Sequence, residues 1–381
     1  MNIKNKNKNK NKNIDIYIEN MSACCSAGLD HETIFDATLL GNSGVKKHQG
    51  FLSDGGLSAI GKIESSKSFN TLMIESITKI LNASDLDDFS NTFLAIGTSV
   101  GGMAWAENQF IEDKGSYTNI ALKKQSLYSI SHTLNQTFNF KDSITFSTAC
   151  TSSSNAIIFA KELIEAGAYD NVLVVGADSI SYTTVNGFKA LGVLSSEIST
   201  PFDANRTGMN VAEGIGAILL STTPSEIKLV GVGCSSDAHN ITNPHPQGEG
   251  AKIAMKNALE NAQINSTQID YINAHGTGTV ANDSAEGNAI KELFSHHPPV
   301  GSTKSITGHT LGACGAIELI ISALALEKQT LPANFNLQTK EIEELTLPTE
   351  NIKTPLRFVL SNAFAFGGNN VSLILQKVET A

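Results

Sequence analysis

The chain has 381 residues, with 27 Lys plus Arg against 37 Asp plus Glu and a formal net charge of −10. That balance excludes a general nucleic-acid binder, which needs a basic face to displace condensed counterions. Hydrophobic residues at 41% and charged residues at 17% supply a substantial core and leave too few charges for a disordered polyelectrolyte.

Residues 1–13 are almost entirely Asn and Lys, without an apolar anchor, and read as a disordered tail. From Ile14 onward, short β-rich apolar runs alternate with helical patterns. The runs are 14–18, 92–96, 144–147, 171–175, 218–221, 227–232, 271–273, 357–361 and 371–375. Alternation of this kind indicates α/β architecture. The halves echo each other. The strand and small-residue loop at Phe93 to Thr98 recur at Tyr271 to Thr277, and the strand, loop and helix at Thr145 to Leu163 recur at Val300 to Leu319. This implies a duplication, residues 14–222 and 226–381, with its seam near Thr222 to Glu226. The segments 155–164 and 312–326 are apolar or small nearly all round, so each helix is expected to be buried on every side, between two sheets, with amphipathic helices such as 250–261 outside. Gly167 is placed to end the first of them in a left-handed conformation.

No run approaches the roughly 20 apolar residues that cross a bilayer, so no membrane span is expected. The N-terminus lacks a signal-peptide core, and a cytoplasmic location is expected. Cys24, Cys25, Cys150, Cys234 and Cys314 contain no CxxC pair, which fits free thiols rather than a zinc or disulfide framework.

Four segments carry chemistry. Ser147 to Ser154 places Cys150 where a strand meets a buried helix. Unpaired N–H groups and the dipole there are expected to depress the thiol pKa and make a nucleophile, although a buried structural cysteine would share the pattern. Asn273 to Thr279 sets His275 in a loop, able to donate Nε2–H to a developing oxyanion, with Thr277 and Thr279 suited to the amides of an extended linker. Ser302 to His309 puts Lys304 and His309 five residues apart. A lysine beside an apolar helix needs a counter-charge, for which Glu286 is expected, unless Lys304 stays on the surface. Asn362 to Asn370 is a glycine loop carrying Phe366, readable as a gate or as an ordinary hairpin connection.

In this order the four segments resemble the β-ketoacyl-acyl-carrier-protein synthases of the thiolase superfamily, in particular the Cys-His-His branch of synthase I/II type. The similarity runs from about Ile14 to Lys377 and includes Pro201 to Arg206, Ala212 to Gly214 and Ser235 to His239. It implies the thiolase fold, a layered αβαβα duplication. It also implies acyl transfer to Cys150 from a carrier-protein thioester, then decarboxylative Claisen condensation with a malonyl-carrier thioester. In that scheme His275 and His309 stabilise the oxyanion and Lys304 with Glu286 organises them. The N–H groups of Cys150 and Phe366 form an oxyanion hole, and Thr277 and Thr279 hold the pantetheine. No metal or organic cofactor is implied.

The chain departs from the family's usual Arg-Asp-Gly-Phe and Gly-Phe-Gly-Gly-Thr at Arg206 to Met209 and at Ala365 to Asn369, which bears on gating and chain preference. The stretches 208–214 and 244–250 look more like synthases of aryl polyene and related pigment pathways than housekeeping fatty-acid enzymes. The alternative is a chain-length-factor-like partner subunit of a ketosynthase heterodimer, whose kind lacks the nucleophile that Cys150 supplies. A thiolase would need a second cysteine near the C-terminal loop, and a Cys-His-Asn synthase an asparagine at His309. The expected partners are an acidic acyl carrier protein, docking on a local basic patch among Lys46, Lys47, Lys123, Lys124 or Arg206, and a second synthase-fold subunit, identical or related.

Overall fold

The computed structural model describes residues 14–378, so the Asn/Lys tail lies outside the described residues. Ten strands form the main sheet system. They are β1 (Tyr17–Cys25), β2 (Phe93–Gly97), β3 (Asp142–Phe146), β4 (Asn171–Asp178), β5 (Gly214–Ser221), β6 (Ile227–Ser236), β7 (Tyr271–Asn273), β8 (Val300–Gly301), β9 (Phe358–Phe364) and β10 (Asn369–Lys377). The first five pair in the order β1-β5-β4-β2-β3 and the last five in the order β6-β10-β9-β7-β8. In each half the first two pairings are antiparallel and the last two parallel. The halves meet edge to edge where Tyr17 of β1 pairs with Lys228 of β6.

Side-chain alternation explains how these sheets stack. Along β4, Val172 and Val174 enter one apolar cluster while Leu173, Val175 and Ala177 enter another. Along β10, Val371, Leu373 and Leu375 point into the first cluster and Ile374 into a third. A strand's period of two therefore feeds two separate cores. The shared middle core is filled by two helices, α3 (Ser152–Glu165) and α6 (Cys314–Lys328). The outer faces are covered by α1 (Phe69–Ala83) and α2 (Ser129–Phe138) on one side, and α4 (Glu249–Ala262) and α5 (Val280–Leu293) on the other. This is a layered αβαβα fold.

Every residue of α6 from Cys314 to Leu326 is buried, and its leucines and isoleucines each contribute about 1.5–3 kcal/mol. The helix α3 ends at Gly167, which has φ +65° and donates its N–H to Ile164 O. One element is longer than its apolar pattern. β1 continues from Ile18 through Glu19 and Asn20 to Cys25, because it lies inside the sheet system against β5, and the pairing slips between Ile18 and Asn20.

Candidate active site

The turn from β3 into α3 presents Cys150 from one half, and the turn from β8 into α6 presents His309 from the other. Cys150 Sγ lies 3.0 Å from His309 Nε2, and the His275 and His309 rings stand edge to face with centroids 5.3 Å apart. All three line a cavity of about 340 Å³, together with Thr277, Thr279, Met209 and Phe366. Cys150 is 9% exposed and each imidazole 2%, so the reacting atoms meet solvent only through this cavity.

Lys304 and Glu286 stand at the site but do not pair with each other as the sequence suggests. Lys304 is fully buried and bonds Glu318 of α6, His275 O at 2.5 Å and His275 Nδ1 at 3.3 Å. The ammonium's three N–H groups are thereby used, and donation to Nδ1 fixes His275 with its proton on Nε2, facing the cavity. Glu286 instead accepts from the backbone N–H groups of His275 and Gly276, each at 2.8 Å, and from Asn362 Nδ2 at 3.1 Å. It holds the histidine loop by its backbone, while Glu318 supplies the counter-charge. Glu318 is the sole carboxylate in α6 before the last turn, and an isolated charge in an apolar helix is the signal that could have found it.

Burial is the largest influence on every titrating group here. It pushes the Cys150 thiol up to about 12, against the pull of Lys304 and of the N–H groups of Cys150 and Phe366. The depressed pKa expected from the helix terminus is therefore overturned. The Thr151 and Ser152 N–H groups are already engaged by Thr148 O and Ala149 O, leaving the sulfur fewer free donors than a bare helix end offers. Burial, then Lys304, takes His275 and His309 well below the usual imidazole value, so both rings are neutral at pH 7. Burial works to lower Lys304 as well, but Glu318, Cys314 and Glu286 together hold it above its ordinary value. Burial raises Glu318 to about 7, with Lys304 opposing.

Thr277 and Thr279 share a hydroxyl contact of 2.9 Å at the cavity wall. Phe366 sits on the four-residue turn between β9 and β10, its ring 6.0 Å from that of Phe188. Gly368 has φ +81°, and a Cβ there would lie 1.7 Å from Asp237 O. The turn thus needs glycine both for its left-handed backbone and for its contact with the neighbouring loop. Cys314 lies beneath Cys150, with Sγ 3.2 Å from Cys150 O. Ligand atoms of His275, Cys314 and Glu318 fall within 4.8 Å of one another, but the Lys304 ammonium bonds two of them and would repel a metal ion.

Residues 17–225 match the sequence model of the beta-ketoacyl synthase N-terminal domain, and residues 227–338 that of the C-terminal domain. The chain belongs to the beta-ketoacyl synthase family. It is 33% identical, over 75% of each chain, to 3-oxoacyl-[acyl-carrier-protein] synthase 2 of Coxiella burnetii. It is 32% identical, over 83% of each, to a putative mitochondrial 3-oxoacyl-[acyl-carrier-protein] synthase of Schizosaccharomyces pombe. Among solved structures, a chain of the complex between a ketosynthase and its chain length factor from Xenorhabdus doucetiae superposes with a TM-score of 0.88. The two are 33% identical, over 96% of this chain and 98% of that one. A beta-ketoacyl synthase from Burkholderia phymatum gives a TM-score of 0.84 at 25% identity, covering 96% and 100%.

For this synthase-family chain, the basic residues expected at a docking patch divide sharply. Arg206 is buried, bonded to Asp203 O, Val280 O, Ser284 and Glu341, with Asp283 at 3.4 Å, so it is unavailable to a partner. Lys46 and Lys47 are exposed but paired with Glu64 and Glu197. Lys123 and Lys124 are exposed, with Lys124 5.0 Å from the Trp105 ring centre.

Proposed function

We propose that the chain is a β-ketoacyl-[acyl-carrier-protein] synthase that condenses a Cys150-bound acyl group with a malonyl-carrier thioester in fatty-acid, aryl polyene or polyketide-type biosynthesis. The observation that carries this reading is the convergence of Cys150, His309 and His275 on one cavity, with the Cys150 and Phe366 N–H groups bearing on the sulfur. The reaction begins from a neutral thiol. As Sγ attacks the carrier-bound acyl carbon, its proton passes to His309 Nε2 and on to the departing carrier sulfur, so the thioester is exchanged without net charge. The two backbone N–H groups receive the oxyanion of this step.

A malonyl thioester then enters along Thr277 and Thr279, which bond the pantetheine amides. Its C–C bond to the carboxylate breaks, carbon dioxide leaves, and the electron pair forms an enolate whose oxygen is met by His275 Nε2–H. His309 donates alongside once its neutral ring has released the Nδ1 proton and taken one at Nε2 from solvent in the cavity. The enolate carbon attacks the Cys150 thioester, the C–S bond breaks with its electron pair on sulfur, and a proton from solvent in the cavity restores the neutral Cys150 thiol as a β-ketoacyl carrier two carbons longer departs. Lys304 keeps His275 in the donating tautomer and places positive charge behind the enolate. The chemistry rests in the thioesters, and the reading asks for no metal and no cofactor beyond the carrier's phosphopantetheine.

The carrier docks near Lys123 and Lys124, the unpaired basic residues of the expected set. The outer edge of β3 offers an unpaired strand for a second synthase-fold subunit. Among the described residues no helix is long and apolar enough to cross a membrane, and we place the protein with its carrier in the cytoplasm. The similarity to a chain of a ketosynthase and chain-length-factor complex favours a second reading, in which this chain works as one subunit of a heterodimer. Purified chain supplied with acyl-carrier and malonyl-carrier proteins tests both. Elongated β-ketoacyl carrier supports an active synthase in its own right, and acylation of Cys150 without elongation supports the partner-dependent reading.

A further inference from the structure

One carboxylate outside the reacting set joins the two halves beside the site. Asp178 closes β4 and is fully buried, yet its oxygens meet only uncharged donors. It accepts from Thr98 Oγ1 at 2.5 Å, Ser99 N at 2.8 Å, Val100 N at 3.0 Å and Gly312 N at 2.7 Å. Three of these donors lie on the turn after β2. The fourth belongs to the other half, three residues beyond His309. Ser99 then donates Oγ to Ala149 O at 3.0 Å, and Ala149, directly before Cys150, carries φ +52°.

A continuous run of hydrogen bonds thus leads from the residue preceding the nucleophile, through Ser99 and Asp178, to the turn that follows the histidine. The fit is close at its far end, where a Cβ on Gly312 would lie 2.7 Å from both Asp178 Oδ2 and Ser99 N. A buried carboxylate facing only neutral donors is costly, and a left-handed alanine is strained, so both persist where surrounding contacts fix them.

We propose that Asp178 is a positioning residue that sets the register between the half carrying Cys150 and the half carrying His309, anchored on the nucleophile's side through Ser99. The inference rests on Cys150 being the nucleophile and His309 its proton acceptor. Alkylation of Cys150 by iodoacetamide at pH 7.5, located by peptide mass mapping, tests it without any carrier substrate. A failure of the whole chain to condense substrates would therefore leave this test standing. Asp178→Asn should slow alkylation roughly tenfold and Ser99→Ala roughly threefold, since small misplacements of paired groups carry large rate effects. In a His309→Ala background neither change should slow it further by more than about twofold, because the imidazole that takes the thiol proton is gone. Alkylation of D178N within twofold of wild type, or an undiminished loss in the His309→Ala background, overturns the proposal. If D178N does not fold, the Ser99→Ala pair of measurements decides alone.

Discussion

The protonation state of Cys150 can be tested by changing pH alone. Burial raises the thiol from its usual 9.0 to about 12, which corresponds to about 4 kcal/mol against ionisation. At pH 7 a thiol at 9.0 is about 1% thiolate, whereas one at 12 is about a thousandfold less so. The folded value lies above the unfolded one, so thiol protonation favours the folded state fully below pH 9.0 and is lost as pH climbs through about 12. Thiolate absorbs near 240 nm, and the difference between wild type and Cys150→Ser isolates this one sulfur. We expect that difference to stay flat from pH 6 to 9.5. A step with its midpoint below pH 9 would show that the helix end, the two N–H groups and Lys304 outweigh burial. With a midpoint below pH 7 the sulfur would rest as an anion at neutral pH, and His309 would have no proton to accept from it.

His275→Ala should lower decarboxylation of malonyl carrier about 10²–10³-fold while acyl transfer to Cys150 changes less than tenfold, because its N–H faces the enolate rather than the sulfur. Denaturation across pH tests the buried pair. With Glu318 at about 7 when folded and 4.5 when unfolded, the wild type should lose about 3 kcal/mol of stability as pH rises between those values. Glu318→Gln should lack that fall, because a glutamine carries no proton to lose over that range. Equal profiles for the two proteins would refute this assignment. Reversing charge at Lys123 and Lys124 should raise KM for acyl carrier about tenfold with a smaller change in kcat. An unchanged KM would remove them from the docking surface.

Local pattern carried much of this molecule. The stretch 312–326, apolar or small nearly all round, announced a helix with no solvent face, and the order of Cys150, His275, Lys304 and His309 pointed to the family. Partnerships across space were less accessible. Glu286 follows His275 by eleven positions and is near enough to suggest a partner for Lys304, yet α5 turns its carboxylate onto the backbone of the histidine loop. The true partner, Glu318, reaches Lys304 because α6 runs back beneath the loop that carries it. Arg206 looked like any surface cation until the packing of α5 enclosed it. The thiol's elevated pKa depends on how completely the second half covers Cys150, which no neighbour in sequence reports. Asp178 gave no sign, since its donors, three main-chain N–H groups and the Thr98 hydroxyl, take positions that only the fold defines.

The most direct test mixes the purified chain with a single acyl-carrier thioester, quenches in acid within seconds and weighs the intact protein. The account predicts a mass gain equal to one acyl group, mapped to the peptide containing Cys150, absent from Cys150→Ser and slowed about 10²–10⁴-fold in His309→Ala. An unmodified chain, or an acyl group found on Cys314 or any other residue, would contradict it.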